Sequence, residues 1–307
     1  MIALDKTLGH RKAELLSYFR SRAAESLEEI KRTYGTAKLN EQATAINRAI
    51  SGTRSTLIKA LTQNAAREHW HNQEILQCTL MITYVSYVVM LESRNEVWPY
   101  DFMAFSRRVG ELWEPFCKLC FEFPLSDATL FIPPLFLEVK QKLTNEIDIY
   151  IEQLPLAKEQ QVELKGYYDK VWGLVTSGEI QLELDLHFVS EDHKYVVDFK
   201  SGFGSNEKGN TNRLLLVATA YKILEEGYRC LLLVRAEEDK NNHYFQTLKH
   251  SGLWEAYCGG EAYTRIKEFS GFDLQWWIKN SVNWQADLQP AMIQHIELNK
   301  LEQYLIW

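Results

Sequence analysis

Glu183, Asp185, Asp198 and Lys200 sit on two short runs whose residues alternate with period 2. Alternation of that kind marks half-buried strands. In the first run Leu182, Leu184, Leu186 and Phe188 share a face opposite Glu183, Asp185 and His187. In the second, Tyr195, Val197 and Phe199 lie opposite Lys194, Val196, Asp198 and Lys200. Only Ser190-Glu191-Asp192-His193 separates them, which predicts a hairpin with a four-residue loop. Val189 then pairs with Lys194, and the register sets Asp185 across from Asp198 and Glu183 across from Lys200. Opposed side chains lie about 4.5–5.5 Å apart at Cβ, where like charges destabilise the sheet. Two facing carboxylates therefore call for a proton on one of them or a divalent cation between them. Hard cations such as Mg²⁺ take carboxylate oxygens and retain waters that can react. Lys200, on the same face about 7 Å beyond Asp198, can orient or deprotonate such a water, or stabilise charge growing on phosphorus. Without a cation, the same four residues form only a solvated polar face.

Asp185, followed after a spacer by Asp198-Phe199-Lys200 behind the apolar Val196-Val197, resembles the core motif of the PD-(D/E)XK nuclease superfamily. Leu184 stands where the family often has proline. The resemblance implies that Asp185 and Asp198 hold Mg²⁺ together with the carbonyl of Phe199. It implies that Lys200 serves the attacking water and that Glu183 tunes this lysine or joins a second metal site. The elements downstream fit the family order. A polar, glycine-punctuated loop leads to a predicted helix over Leu214–Glu226, with Asn212 as N-cap and Gly227 as stop. A buried strand over Tyr228–Arg235 follows, so hairpin, crossover helix and parallel strand succeed one another. The fold expected is α/β, with a restriction-endonuclease-like central mixed β-sheet flanked by helices and a largely helical N-terminal half.

The function expected is that of a Mg²⁺-dependent type II restriction endonuclease cutting double-stranded DNA as a homodimer. Asn206, Lys208, Asn210, Asn212 and Arg213, beside the motif, carry the donors and acceptors that read base edges. Two alternatives stay open. A RecB-like exonuclease or repair nuclease shares the same acids and lysine, but its usual Gln-x-x-x-Tyr is here Val217 and Tyr221. A non-catalytic DNA-binding module has no need of facing carboxylates.

With 46% apolar and 24% charged residues over 307 positions, the composition is that of a globular protein. The net charge of −7 does not suit a nonspecific DNA binder, but it is unevenly spread. Residues 1–72 hold 12 Lys+Arg against 7 Asp+Glu, a basic arm ahead of an acidic remainder. Five cysteines, an odd number, point to a reducing compartment, and hence a cytoplasmic location. Cys117-x-x-Cys120 lacks a second ligand pair at zinc spacing and reads as two buried thiols. The start of the chain lacks the pattern of a secretory signal. The most apolar window, Leu76–Leu91, is too short and polar for a membrane span and reads as a buried core helix.

The expected organisation is a helical region over 1–150, for dimerisation or DNA contact, and a catalytic domain over 151–307. Helical periodicity covers Arg11–Tyr34, Leu39–Ile50, Ser55–Leu61, Asn64–Leu91, Asp101–Cys120, Leu135–Leu154 and Lys158–Val175. Arg54, with Thr53, Ser55 and Thr56 around a glycine turn at Gly52, offers a phosphate contact. His69, His71 and Glu74 are a weak metal candidate, and Glu163 a candidate further acid for the site.

Overall fold

A computed structural model describes residues 2–35, 37–175, 182–204, 207–224 and 227–306. The first half is helical: α1 (Lys12–Tyr34), α2 (Leu39–Arg67), α3 (Asn72–Val97), α4 (Phe102–Glu111) and α5 (Trp113–Glu122). Strand β1 (Thr129–Leu130) and two further helices, α6 (Phe136–Gln153) and α7 (Lys158–Val175), lead to the hairpin β2 (Leu186–Ser190) and β3 (His193–Lys200). Then come α8 (Lys208–Ile223), β4 (Tyr228–Val234), α9 (His243–Lys249), β5 (Glu255–Cys258) and the helices α10 (Gly259–Ser270), α11 (Leu274–Ser281), α12 (Trp284–Asp287) and α13 (Pro290–Leu298). The protein is α/β, mostly helical, around one mixed five-stranded sheet of order β1-β2-β3-β4-β5. β1, β2 and β3 pair antiparallel, and β3, β4 and β5 run parallel, joined by α8 and α9.

Alternation along β3 and β4 sends side chains to two separate cores. Tyr195, Val197, Phe199, Leu231 and Leu233 join the larger one, which also holds α1–α5 and the C-terminal helices. Val196, Cys230, Leu232 and Val234 join a smaller one under α8 and α9. The larger cluster draws on residues from Ile2 to Leu301, so both ends of the chain support one face of the sheet. Helix α3 is its centre. It is long and apolar enough to cross a membrane, but 89% of that window is buried inside the fold, which is the core role expected of Leu76–Leu91.

The hairpin has the expected register, with Val189 opposite Lys194, but a shorter loop. Ser190 and His193 also pair, leaving Glu191 and Asp192 as the turn, both at positive φ (48° and 62°). Two such residues form the tight turn whose twist matches that of the strands.

Several helical expectations change. Gly52 is no turn: α2 runs unbroken through it, because the buried stripe of Ile46, Ile50, Leu57 and Leu61 packs on both sides and outweighs a penalty of about 1 kcal/mol for one glycine. Arg54 consequently lies over the ring of Tyr87, 5.1 Å from its centre, rather than on a loop. The predicted helix Asn64–Leu91 is broken between α2 and α3, with His69 at positive φ. His71 is the N-cap of α3 and its amide donates to Glu74 Oε2 at 2.8 Å, while Glu74 also pairs with Lys6 at 3.0 Å. Helix α8 begins at Lys208 with Glu207 as N-cap, so the expected polar loop is largely helix and Asn212 lies inside it.

Candidate functional site

Strand β3 delivers Asp198 and Lys200 to the α8 face and turns Phe199 the other way. Phe199 packs edge-on against Trp113 of α5 at 5.8 Å, and the Trp113 indole donates to Tyr263 at 2.9 Å. The aromatic thus bolts the strand end to the N-terminal helices. Just beyond it, Gly110 of α4 meets Ser201 so closely that a Cβ there would lie 2.8 Å from the serine hydroxyl. The exit of the strand is fixed from the other side by Asn241, whose side-chain oxygen accepts from the Phe203 amide at 2.8 Å. Helix, helix and loop therefore hold this strand end before any ligand arrives.

Asp185 joins the group at a bend. The β2–β3 ladder ends at Leu186–Val197, and the Phe199 amide donates to Asp185 Oδ2 at 2.7 Å instead of to a strand carbonyl. Lys200's carbonyl accepts from Arg235 on the β4 side, so alternation turns the backbone of Phe199 towards Asp185. The bend also breaks the face expected of the first run. Leu182 and Leu184 enter the core under α8, whereas Leu186 and Phe188 enter the larger core. Glu183 therefore does not stand across the ladder from Lys200; it is exposed beside the segment Ile132–Phe136.

Asp198 is fully buried. Lys200 Nζ lies 2.9 Å from Oδ2, an ion-pair distance, and Arg213 NH2 lies 3.4 Å from Oδ1. The ammonium is off the hydrogen-bonding direction, and Oδ2 is left without a directed donor. Burial pushes the Asp198 carboxyl up to about 6; Lys200 opposes the rise, and the Asp185 charge adds to it. Burial works to lower Lys200, but Asp198 and Asp185 outweigh it and hold the ammonium above its usual value. At neutral pH the lysine is a cation, suited to orienting a water and balancing negative charge rather than to taking a proton.

This arrangement fits a hard divalent cation. Asp185, Asp198 and the Phe199 carbonyl are oxygen donors, and the buried Oδ2 of Asp198, met by the Lys200 ammonium off the hydrogen-bonding direction, has a lone pair that a cation could share. Among the described residues no three His, Cys, Asp or Glu side chains converge, so waters or substrate oxygens would complete the shell, as Mg²⁺ favours.

The expected DNA-reading residues divide. Asn206 lies outside the described residues. Lys208 and Asn212 are exposed on the first turns of α8. Asn210 is held by Glu207 at 3.0 Å and faces Arg213 at 3.4 Å. Arg213, taken from sequence as a base reader, belongs to the acid cluster itself. Its signal was its place on the first turns after the motif, and a loop assignment hid it. Glu163 is exposed on α7, 3.4 Å from Tyr167, and is not part of the cluster. Tyr221 donates to the Leu182 carbonyl at 2.9 Å, and Val217 is buried in the core beside it. Cys117 and Cys120 are buried on α5, with burial raising both thiols. No protein-family model, curated protein or solved structure matches this chain.

Proposed function

We propose that this chain is a Mg²⁺-dependent endonuclease that hydrolyses phosphodiester bonds in double-stranded DNA, as a type II restriction enzyme and homodimer in the cytoplasm. The observation that carries this reading is the meeting of Asp185, Asp198 and Lys200 at one strand end, where the Asp198 carboxylate is fully buried and has the lysine against it. The hairpin, crossover helix and parallel strand that position them follow the order of the PD-(D/E)XK superfamily, and the restriction-endonuclease-like fold is proposed on the same ground.

Asp185, Asp198 and the Phe199 carbonyl would hold the cation. Bound there, Mg²⁺ would supply the positive charge that stabilises the attacking and leaving oxygens of an in-line displacement. Lys200, kept charged by its two acids, orients the attacking water and offsets charge on phosphorus. Arg213, 43% exposed where Asp198 is sealed, approaches from the solvent side and contacts the phosphate oxygens. Asn210 steers its guanidinium. Lys208 and Asn212, on the exposed first turns of the same helix, face the duplex. Cutting both strands of a palindromic site requires two active centres related by a twofold axis, hence the dimer.

Incubating plasmid with the protein and Mg²⁺ tests the proposal. Discrete bands that disappear with a chelator, and with Asp198→Asn, support it. Steady loss from free ends would mean an exonuclease, and a gel shift without cleavage a binding module.

A further inference from the structure

The β1–β2 ladder pairs Thr129 with Val189 and Leu130 with Phe188, and the Phe131 amide donates to the His187 carbonyl at 3.1 Å. Continued by two residues, the same antiparallel register brings Pro133 alongside Asp185. Neither Pro133 nor Pro134 has an N–H to extend the ladder, so pairing stops and the opposite strand is free to bend at Asp185. The prolines leave apolar side chains facing water. Ile132 is 93% exposed, the most of any large apolar residue among those described, and Leu135 is 67% exposed. This rim is nonetheless held at both ends. Phe131 is tied to β2, and the Leu135 amide donates to Glu138 Oε2 at 3.0 Å at the start of α6.

Between the rim and the segment leading into Asp185 lies a cavity of about 270 Å³, lined by Ile132–Phe136, Leu182 and Glu183. Its floor is anchored, since Leu182 is buried and its carbonyl accepts from Tyr221. Pockets for drug-sized ligands span roughly 300–1,000 Å³, so this one suits a single planar ring system. Glu183 is its one charged lining residue, and it makes no ion pair or hydrogen bond among the described residues.

We propose that this cavity is a nucleobase subsite, taking the base of the nucleotide next to the bond that is cut. The proposal rests on the nuclease reading, because a scissile phosphate at Asp185 and Asp198 brings the neighbouring nucleotide onto the Pro133 rim. Successive nucleotides rise only about 3.4 Å along one strand, less than the span of the rim. Apolar Ile, Leu and Pro side chains are the wedges that proteins use to part stacked base steps. A carboxylate accepts from the exocyclic amino group of cytosine, so Glu183 favours a base that carries one. The rim and Glu183 thus give a device for selecting sequence beside the cut that needs no contact from α8.

The test uses the full chain and a duplex carrying 2-aminopurine at the nucleotide flanking the mapped cut, with Ca²⁺ replacing Mg²⁺ to slow cleavage. Parting the step should brighten the probe severalfold with the wild-type protein, and Ile132→Ser/Leu135→Ser should abolish that gain. Glu183→Gln should change the preference for an amino-bearing base at this position by about tenfold in kcat/KM. Circular dichroism confirms that these surface replacements leave the fold unchanged. DNA bound and cut with a dark probe, or base preference unaltered by Glu183→Gln, would overturn the subsite while leaving the nuclease standing. No binding and no cleavage of any DNA would overturn both.

Discussion

Asp198 and Asp287 are both buried acids with a lysine at ion-pair distance, 2.9 Å for Lys200 and 2.8 Å for Lys12. Around Asp287 the donors are directed and two of them converge on one oxygen. Its Oδ2 accepts from Lys12 and, at 2.7 Å, from the Tyr84 hydroxyl, while its carbonyl accepts from Arg20 at 2.6 Å. Arg20 in turn holds Glu92 through two contacts, and Glu92 accepts from the Gln289 amide. These bonds fasten the C-terminal segment to α1 and α3. Around Asp198 the lysine meets Oδ2 off the hydrogen-bonding direction, and Arg213 reaches Oδ1 only at 3.4 Å. A buried polar group that is fully bonded serves the scaffold. One that is only partly bonded costs stability unless water or a ligand completes it.

The largest effects separate the two acids. Asp198→Asn and Lys200→Met should each lower DNA cleavage by roughly 10³-fold or more, the scale on which charge-stabilising groups act in active sites, with circular dichroism unchanged. Wild-type turnover by either variant would remove the basis of the nuclease proposal. Asp287→Ala should do the reverse. Losing the acceptor shared by Lys12 and Tyr84, with Lys12 still bonded to the Ser281 carbonyl, should cost about 3 kcal/mol in urea unfolding, while cleavage per folded molecule is retained. If Asp287→Ala abolished turnover in folded protein, the division between scaffold acid and working acid would fail.

A smaller effect ties pH to the cation. The Asp198 carboxyl titrates at about 6 in the fold, against 3.8 when free. Its protonated form therefore favours folding. That contribution is complete below the free value and is lost as pH rises through about 6. Above that point the fold carries a buried charge that a bound divalent cation would relieve. At about pH 7.5, Mg²⁺ at about 100 times its Kd should stabilise the protein by about 2.7 kcal/mol. Below the folded pKa the ion must displace a proton, and the gain should shrink by about 1.4 kcal/mol per pH unit. Thermal melts with and without Mg²⁺ measure both slopes, and Asp198→Asn should flatten them.

What the sequence revealed follows how local each signal was. The register of the hairpin could be read because a one-residue slip would exchange buried for exposed side chains along both strands. That register brought Asp185, Asp198 and Lys200 together. Glu183 was misplaced because the cause of the bend, Pro133-Pro134, lies some fifty residues away on a strand only two residues long. The start of α8 was hidden by Gly209 and Asn210, poor helix formers in its first turn. The Asp287 network left no trace, since Lys12, Tyr84 and Asp287 meet across almost the whole chain.

Tyr84→Phe is the mildest way to make one acid resemble the other. It removes the directed hydroxyl from Asp287 and leaves the Asn283 amide, 3.0 Å away, without its acceptor. A hydrogen bond to a charged group contributes about 1.5–3 kcal/mol, and the retained Lys12 contact places the expected loss near the lower end. Burial and Asp287 both hold the Tyr84 hydroxyl in its protonated form, so no alkaline titration of this group competes with the measurement at neutral pH. The altered Asp287 would then keep Lys12 as its one side-chain donor, much as Asp198 has Lys200, but without the acid that Asp185 supplies at the other site. Mg²⁺ should therefore stabilise Tyr84→Phe no more than it stabilises the wild-type protein. An added Mg²⁺ response in this variant would mean that a single buried acid with one lysine suffices to attract the ion. The pairing of two carboxylates would then no longer distinguish the candidate site.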